Sequence, residues 1–524
     1  MSDRPAHNAA RLRPDASGLL SADSMGLYTR TTRTWLEHRF QSRSAAGVYL
    51  AHMPIYGLGH ADSEGGHPAR LARVLRMLRV LDGMDFSSLL DVGGAEGYFA
   101  HLVRTLYGVG VMTCDLSLQA CLRAKELFGL GAASIDCTRL PFADDSFDVV
   151  VCSEVLEHVE HPVETMLELQ RVARRAVLLT TEEIRYDRAA IDEYLFRRPG
   201  WPHMERNLFH PDDLALVFPR ASMTPQCDVP PPKDLPDLAA ARAWLLANTQ
   251  STTLEPGRIG VVVAAQQADR IARARHHSDE ALVDKVLATT IAPGSRWPQR
   301  VAPEAAMLAS LRDPATGSRL RFVDNCFLGD AGATYTVHDG VPDFVVEQAR
   351  APTRADLEQR LAYESAVRRD ALLLLRDHLA LPERWPQDSF DLRHREQRRG
   401  FWPNHELVPR AGGEGFAWHA TGNDPWVLTP CLQRPLREVV LEMRVHNPAV
   451  AVDAGTGQVF WKGPADESFE EARSVLFPVQ NDGAVHHYRV VLAGHPRLPD
   501  EVQWLRLDLI DGPCEVDLLS LRLA

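Results

Sequence analysis

The chain lacks any long uncharged apolar run, and this argues against a membrane-spanning helix, which needs about 20 consecutive apolar residues. It also lacks a C-x-x-C pair. Its eight cysteines stand at 114, 121, 137, 152, 227, 326, 431 and 514, so reduced core thiols are expected rather than a disulfide framework. No side chains recur at a diagnostic metal-ligand spacing, and no metal is expected. Met1 to Ala16 is polar and has no apolar core of the signal-peptide type, so the expectation is a cytoplasmic protein. Positive charge is in deficit. The formal net charge of −13 argues against a broad nucleic-acid surface, because phosphate binding depends on clustered Lys and Arg. The runs Arg171-Val172-Ala173-Arg174-Arg175 and Arg393 to Arg399 then read as solvated faces.

What is present is ample apolar material. Hydrophobic residues make up 45% of 524 positions, enough for globular packing but too long a chain for one core, so about two to four domains are expected. The most informative stretch is Leu89-Leu90-Asp91-Val92-Gly93-Gly94-Ala95-Glu96-Gly97-Tyr98-Phe99, an apolar strand ending in an acid and a glycine-rich turn that opens a helix. Glycines let the backbone approach a ligand closely and leave amides at the helix N-terminus aimed at a polar group. The middle glycine of a G-x-G-x-G pattern is replaced by Ala95. A second strand, Val109 to Asp115, ends on an acid about twenty residues beyond the turn, placed to hold ribose hydroxyls. A third segment, Ala133 to Cys137, carries Asp136 just before Leu140-Pro141-Phe142, which suits an adenine amino group and ring face. Asp144 to Val159 then joins a turn to a near-continuous apolar strand of the kind buried on both faces of a parallel sheet.

These four ordered motifs, over residues 69 to 267, resemble the class I S-adenosylmethionine-dependent methyltransferases that carry D-x-G-x-G-x-G, an acid after the second strand, D-x-x-x-L-P-F and E-V-L-E-H. The resemblance implies an α/β Rossmann-like sheet and S-adenosyl-L-methionine as cofactor. It places Asp91, Gly93 and Gly97 around the methionine part, Asp115 at the ribose, Asp136 and Cys137 at the adenine, and Glu154 at the pocket edge. In enzymes of this kind the segment before the first strand often covers the cofactor, so Tyr56 and His60, in the loop His52 to His60, are lid candidates beside the reading as an ordinary anchored loop. Methyl transfer needs alignment and, for a hydroxyl acceptor, a base. Glu182, His203, His158 and His210 are the candidates, with Glu182 and His203 favoured and His158 read first as structural.

Two further resemblances sit downstream. Leu311 to Leu320 with Tyr335 to Phe344 is similar to the small zinc-ribbon proteins that activate tRNA, rRNA and release-factor methyltransferases, yet Asp313, Thr316, Leu328 and Ala331 stand where that family has cysteines. Zinc binding is therefore not expected, since Cys326 alone cannot make a four-ligand site. Beyond Pro386, short alternating strands resemble the jelly-roll modules of polysaccharide enzymes, and Trp461 or Trp426 is a candidate to stack on a sugar beside the reading as core. The expected layout is an N-terminal helical cap over 1–68, the methyltransferase domain over 69–267 and a helical linker over 268–300. A degenerate ribbon-like insert follows over 301–347, then a second helical linker over 348–386 and a C-terminal all-β sandwich over 387–524. The leading functional expectation is O-methylation of a sugar in a surface polysaccharide or nucleotide-linked sugar, with a small-molecule or glycan substrate. An RNA or protein methyltransferase with a fused activator-like domain stays open, as does a non-catalytic glycan-binding scaffold.

Overall fold

The computed structural model describes residues 27–58, 67–181, 187–198, 203–223, 237–249, 261–265, 274–297, 305–345, 351–380, 387–447, 454–464, 466 and 468–524. They fall into two compact units. The first takes in the described residues of Ala22–Ile191 and Glu205–Ala380, the second those of Asp192–Met204 and Leu381–Ala524.

The first unit opens with α1 (Leu27–Gln41) and α2 (His67–Asp82), then alternates strand and helix: β1 (Ser88–Val92), α3 (Tyr98–Tyr107), β2 (Gly110–Asp115), α4 (Leu118–Phe128), β3 (Gly131–Ser134), β4 (Phe147–Ser153), α5 (Pro162–Val172) and β5 (Ala173–Thr180). There follow α6 (Arg188–Arg197), α7 (Pro211–Val217), β6 (Ala221–Met223), α8 (Leu238–Thr249) and β7 (Val261–Ala265). The strand order is β3-β2-β1-β4-β5-β7-β6, with β1 to β5 parallel and β7 antiparallel to both neighbours. This is a Rossmann-like methyltransferase sheet. Val149, Val150, Val151 and Cys152 are fully buried, because helices cover both faces of a parallel sheet and leave no solvent side for a polar alternation. The long helix-and-strand crossovers put the carboxyl ends of β1, β2, β3 and β4 at one edge, where ligands of such sheets bind.

Three further helices are α9 (Asp279–Ala288), which packs on α2 and α8, α10 (Ala305–Ser310) and α11 (Arg354–Arg360), and between α10 and α11 in the chain comes a small antiparallel sheet in the order β11-β10-β9-β8. Its strands are β8 (Arg321–Val323), β9 (Cys326–Leu328), β10 (Thr334–His338) and β11 (Val341–Pro342), and α12 (Ala366–Leu379) follows α11. The end of β11 continues the central sheet beyond β3. Asp343 pairs in parallel with Ser134, and the Phe344 N–H donates to the Ser134 carbonyl at 2.8 Å. Where a zinc ribbon would place its first cysteine, the Asp313 carboxylate accepts from the Tyr335 hydroxyl at 2.7 Å and the Ala315 N–H at 2.8 Å. The turn is held by a buried carboxylate and phenol instead of a thiolate set.

The second unit holds β12 (Ser389–Asp391), β13 (Trp402–Pro403), β14 (Leu407–Pro409), β15 (Phe416–Ala420), β16 (Trp426–Leu428), β17 (Glu438–His446), β18 (Ala454–Lys462), β19 (Ser474–Gln480), β20 (Asp482–Val491), β21 (Trp504–Asp508) and β22 (Cys514–Leu523). They form one sheet in the order β14-β15-β22-β17-β20, with β12 also on β22, and a second in the order β13-β16-β21-β18-β19. Strand β17 alternates buried and half-buried positions along its length, the period-2 signature of a sheet with one face on a core. Trp461 belongs to that core. It is fully buried and its indole N–H donates to the Arg497 carbonyl at 3.1 Å, so the sugar-stacking role expected for it gives way to packing.

Candidate functional site

The glycine-rich turn bends because three of its residues hold positive φ: Gly93 at 74°, Ala95 at 49° and Gly97 at 77°. At Gly93 a β-carbon would lie 2.2 Å from Val155 Cγ2, and at Gly97 it would lie 2.7 Å from Leu130 Cδ1. Those two positions require glycine, whereas Ala95 tolerates the left-handed conformation at a cost of about 1 kcal/mol. The Gly93 and Gly94 N–H groups both donate to the Cys114 carbonyl, at 2.7 and 3.0 Å, which pins the turn to the end of β2.

Two carboxylates flank this turn. Asp91 ends β1, and its Oδ2 is buried without a hydrogen-bond partner, as is the Thr113 hydroxyl beside it in the β1–β2 register. Asp115 ends β2 and accepts from the Ala95 N–H at 3.0 Å and the Ser117 N–H at 2.9 Å. Burial raises the Asp91 carboxyl to about 7, with the Asp115 charge adding to the rise. Burial also raises Asp115 to about 6 against the lowering effect of the Ser117 and Ala95 amides. Among the described residues, neither acid is ion-paired with a Lys or Arg. A cationic ligand meets this demand directly, since it neutralises buried negative charge that water cannot reach. The orphaned Asp91 oxygen and Thr113 hydroxyl, with the glycine cradle, therefore fit a nucleoside cofactor carrying a sulfonium and an ammonium.

The other expected pocket residues lie at the same edge of the sheet. Strand β3 stops at Ser134, so Asp136 and Cys137 occupy the turn beyond it and not the strand itself. Asp136 Oδ1 accepts from the Thr138 N–H at 2.9 Å and hydroxyl at 2.8 Å, and the Cys137 thiol, 3.5 Å from the Thr165 hydroxyl, is pushed up to about 12 by burial and stays neutral. Glu154 follows β4 at φ 55° and pairs with Arg73 of α2 at 3.1 Å.

The polar residues expected to act as a base have different surroundings. His158 ends a short 3-10 turn after β4, with Nε2 3.9 Å from Glu157 Oε1. His210 is a helix cap. Its ring Nδ1 accepts from the Asp212 N–H at 3.2 Å, while its own N–H donates to Asp213 at 3.2 Å, a reciprocal box that holds the start of α7. His203 lies in the segment of the second unit, at φ 54°. Glu182 and His60 lie outside the described residues.

Several site-building residues carried no motif signal. Glu96 is fully buried and accepts from the Met53 N–H at 2.8 Å and the His52 N–H at 3.3 Å, with Arg123 Nη1 at 3.5 Å. Arg123 in turn donates to the carbonyls of Leu50 at 3.0 Å and Ser42 at 2.9 Å and lies 4.1 Å over the Tyr49 ring. This buried pair fastens residues 42–53 onto the glycine-rich turn. His52 is tied to the turn through its backbone N–H on Glu96, whereas Tyr56 packs into the core. Helix α1 crosses the strand ends on one face. Thr29 donates to Glu160 after β4, Arg33 pairs with Asp343 beside β3 at 2.6 Å, and Glu37 accepts from Leu118 and Gln119 at the start of α4. Asn207 braces the turn after β4 by donating to the Leu156 and Val159 carbonyls at 2.8 and 2.7 Å. Spacing of i, i+4 and i+8 along α1 was the available signal for its polar face.

Among the described residues no three His, Cys, Asp or Glu side chains form a metal-binding group, and no helix is long and apolar enough to cross a membrane. Residues 90–180 match the methyltransferase domain family. The domain is also similar to an uncharacterized methyltransferase of Mycobacterium marinum, 38% identical over 90 residues that make up 17% of this chain and 35% of the relative. An uncharacterized methyltransferase of Mycobacterium avium is 31% identical over 141 residues, 26% of this chain and 47% of the relative. The chain thus spans less than half the length of either of these relatives. Among solved structures, the YcgJ protein from Bacillus subtilis is 16% identical, covering 37% of this chain and 98% of its own, with a TM-score of 0.28. A SAM-dependent methyltransferase from Archaeoglobus fulgidus is 14% identical, covering 38% and 94%, with a TM-score of 0.26.

Proposed function

We propose that this chain is an S-adenosylmethionine-dependent methyltransferase that methylates a hydroxyl of a sugar, carried on a surface polysaccharide or linked to a nucleotide. The observation that carries the cofactor half of this reading is the buried pair Asp91 and Asp115 beside the glycine-rich turn, with raised carboxyls and no ion pair to a Lys or Arg among the described residues. When bound, the cofactor supplies a methyl group on an already activated sulfonium. The chain's residues hold and align. Asp91, Gly93 and Gly97 take the methionine part, Asp115 takes the ribose hydroxyls, Asp136 and Cys137 border the adenine, and Glu154 marks the pocket edge. Glu96 and Arg123 fix residues 42–53 against the turn and restrict water, which strengthens electrostatics inside.

A hydroxyl acceptor requires a base to take its proton as the new bond forms, and the candidates are Glu182, His203 and His158. The acceptor half of the reading is supported by the appended β-sandwich alone. A second reading, a protein or RNA methyltransferase with its own activator-like domain, is favoured by the seating of β11 beside β3, and the net charge of −13 weighs against its RNA form. Calorimetric titration with S-adenosylmethionine and S-adenosylhomocysteine tests the cofactor. A homocysteine-release assay across nucleotide sugars, polysaccharide extracts, peptides and RNA tests the acceptor. Binding with turnover on sugars alone is expected; no binding of either compound would overturn the enzyme reading, and turnover only on RNA or peptide would replace the acceptor.

A further inference from the structure

The first unit holds a cleft of about 450 Å³ lined by the loop after β3, the end of α5, the Asp313–Gly317 turn of the small insert and Arg360 of α11. Four arginines line it, Arg139, Arg171, Arg312 and Arg360, together with the acids Asp144, Glu168 and Asp313. The acids are spoken for unevenly. Arg171 takes Asp144 at 2.8 Å and Glu168 at 2.8 Å, and Arg360 shares Glu168 at 3.4 Å. Asp313 turns its Oδ1 to the Tyr335 hydroxyl and the Ala315 amide. Arg312 donates to the backbone carbonyls of Ala309 at 2.9 Å and Leu311 at 2.8 Å, and neither it nor Arg139 has an ion pair among the described residues. Both residues are half-buried, so their charge is partly withdrawn from water without a direct ion pair among the described residues.

We infer that this cleft binds a small phosphorylated ligand through Arg139 and Arg312. Guanidinium forks match phosphate oxygens in a planar two-bond geometry, and the volume falls in the range of small-molecule sites, about 300 to 1,000 Å³. The cleft is separate from the glycine-rich turn. It begins two residues after Cys137, so a ligand there braces the loop that borders the proposed adenine site from behind. The inference stands whether or not the chain transfers methyl groups: Leu140 and Phe142 of the lining also fall in the segment expected at the adenine, but Arg139 and Arg312, which carry the ligand, have no part in that reading.

The test is calorimetric titration of the full chain with inorganic pyrophosphate, repeated on the R139Q/R312Q variant, with S-adenosylhomocysteine titrated into the same samples. Loss of two charge-assisted contacts should weaken pyrophosphate binding by at least about tenfold, while S-adenosylhomocysteine affinity and the melting temperature hold. The single variants R139Q and R312Q, each expected to lose a smaller factor, carry the test if the double variant does not fold. No pyrophosphate binding by the native chain, or equal binding by the variants, would overturn the site. Binding of a single-stranded RNA that depends on these arginines, without pyrophosphate binding, would also overturn it and make the cleft an RNA contact.

Discussion

Ala95 shows how a residue departs from a motif without abolishing the conformation the motif needs. Its φ of 49° is one an L-residue adopts at a cost of about 1 kcal/mol, so A95G should raise stability by about 0.5 to 1 kcal/mol and leave the turn in place, as read by chemical denaturation. Gly93 has no such latitude. G93A places a methyl 2.2 Å from Val155 Cγ2 at a φ of 74°, and a loss of about 2 to 3 kcal/mol is expected in the same assay. Asp115→Ala should weaken S-adenosylmethionine binding by about 1 to 3 kcal/mol in a folded variant, and unchanged affinity by calorimetry would remove the ribose assignment. The pH dependence follows from the raised carboxyls. A group whose folded pKa lies above its unfolded value holds its proton more tightly in the native state, so its contribution to stability is fully present at acid pH and is lost as pH rises through the folded value. For Asp115 at about 6 and Asp91 at about 7, the free chain should lose stability between about pH 4 and 7. A cationic cofactor needs both acids ionised, so its affinity should rise from about pH 5.5 to 7.5; a flat profile by titration calorimetry would contradict charge compensation.

At the scale of elements, the strand-turn-helix of β1 and α3 was legible because glycines and an acid follow an apolar run, and β4 because Val149 to Cys152 is continuous apolar sequence. The clamp between Glu96, Arg123 and residues 42–53 was not, since its partners lie 43 and 73 positions apart and are backbone groups, amides that donate to Glu96 and carbonyls that accept from Arg123. Glu96→Ala leaves the Arg123 guanidinium buried without its acid, and a loss of about 3 to 5 kcal/mol is expected, with hydrogen exchange rising first in residues 42–53. Exchange unchanged in that segment would show that Arg123 alone holds it. The sequence offers His210 as a base candidate because it is expected near the mouth where the acceptor sits. Its ring nitrogen is instead committed to the start of α7, a role that His shares with few residues and that composition does not signal.

At the scale of the whole molecule, each unit has apolar packing of its own: the described residues of the first include a cluster around β1, β2, β4 and β5 and the helices packed on them, and those of the second a cluster between its two sheets. Trp461→Ala should therefore lower the unfolding transition of the second unit by about 3 to 5 kcal/mol, read by calorimetry or denaturant titration, while S-adenosylhomocysteine affinity stays unchanged. A parallel loss of cofactor affinity would mean that the first unit depends on the second for its fold. The segment 192–204, which the sequence places within the methyltransferase range, groups with the second unit. Tyr194 meets Trp402 edge-on at 5.3 Å, and Arg395 lies 4.4 Å over the Phe196 ring.

The sequence by itself determined the parallel sheet, the glycine-rich turn and the acids at the strand ends, because each depends on local propensity, on φ that glycine permits, and on a hydrophobic period that is read along the chain. Tertiary structure alone decided that Asp313 and Tyr335 hold the turn over 313–317, that Trp461 is core, that the charges of Asp91 and Asp115 act on each other with no Lys or Arg ion pair among the described residues, and that Arg139 and Arg312 share a cleft. Each of these depends on which distant groups are brought within hydrogen-bonding or Coulombic reach in a medium that excludes water, and no pattern along the chain encodes that distance.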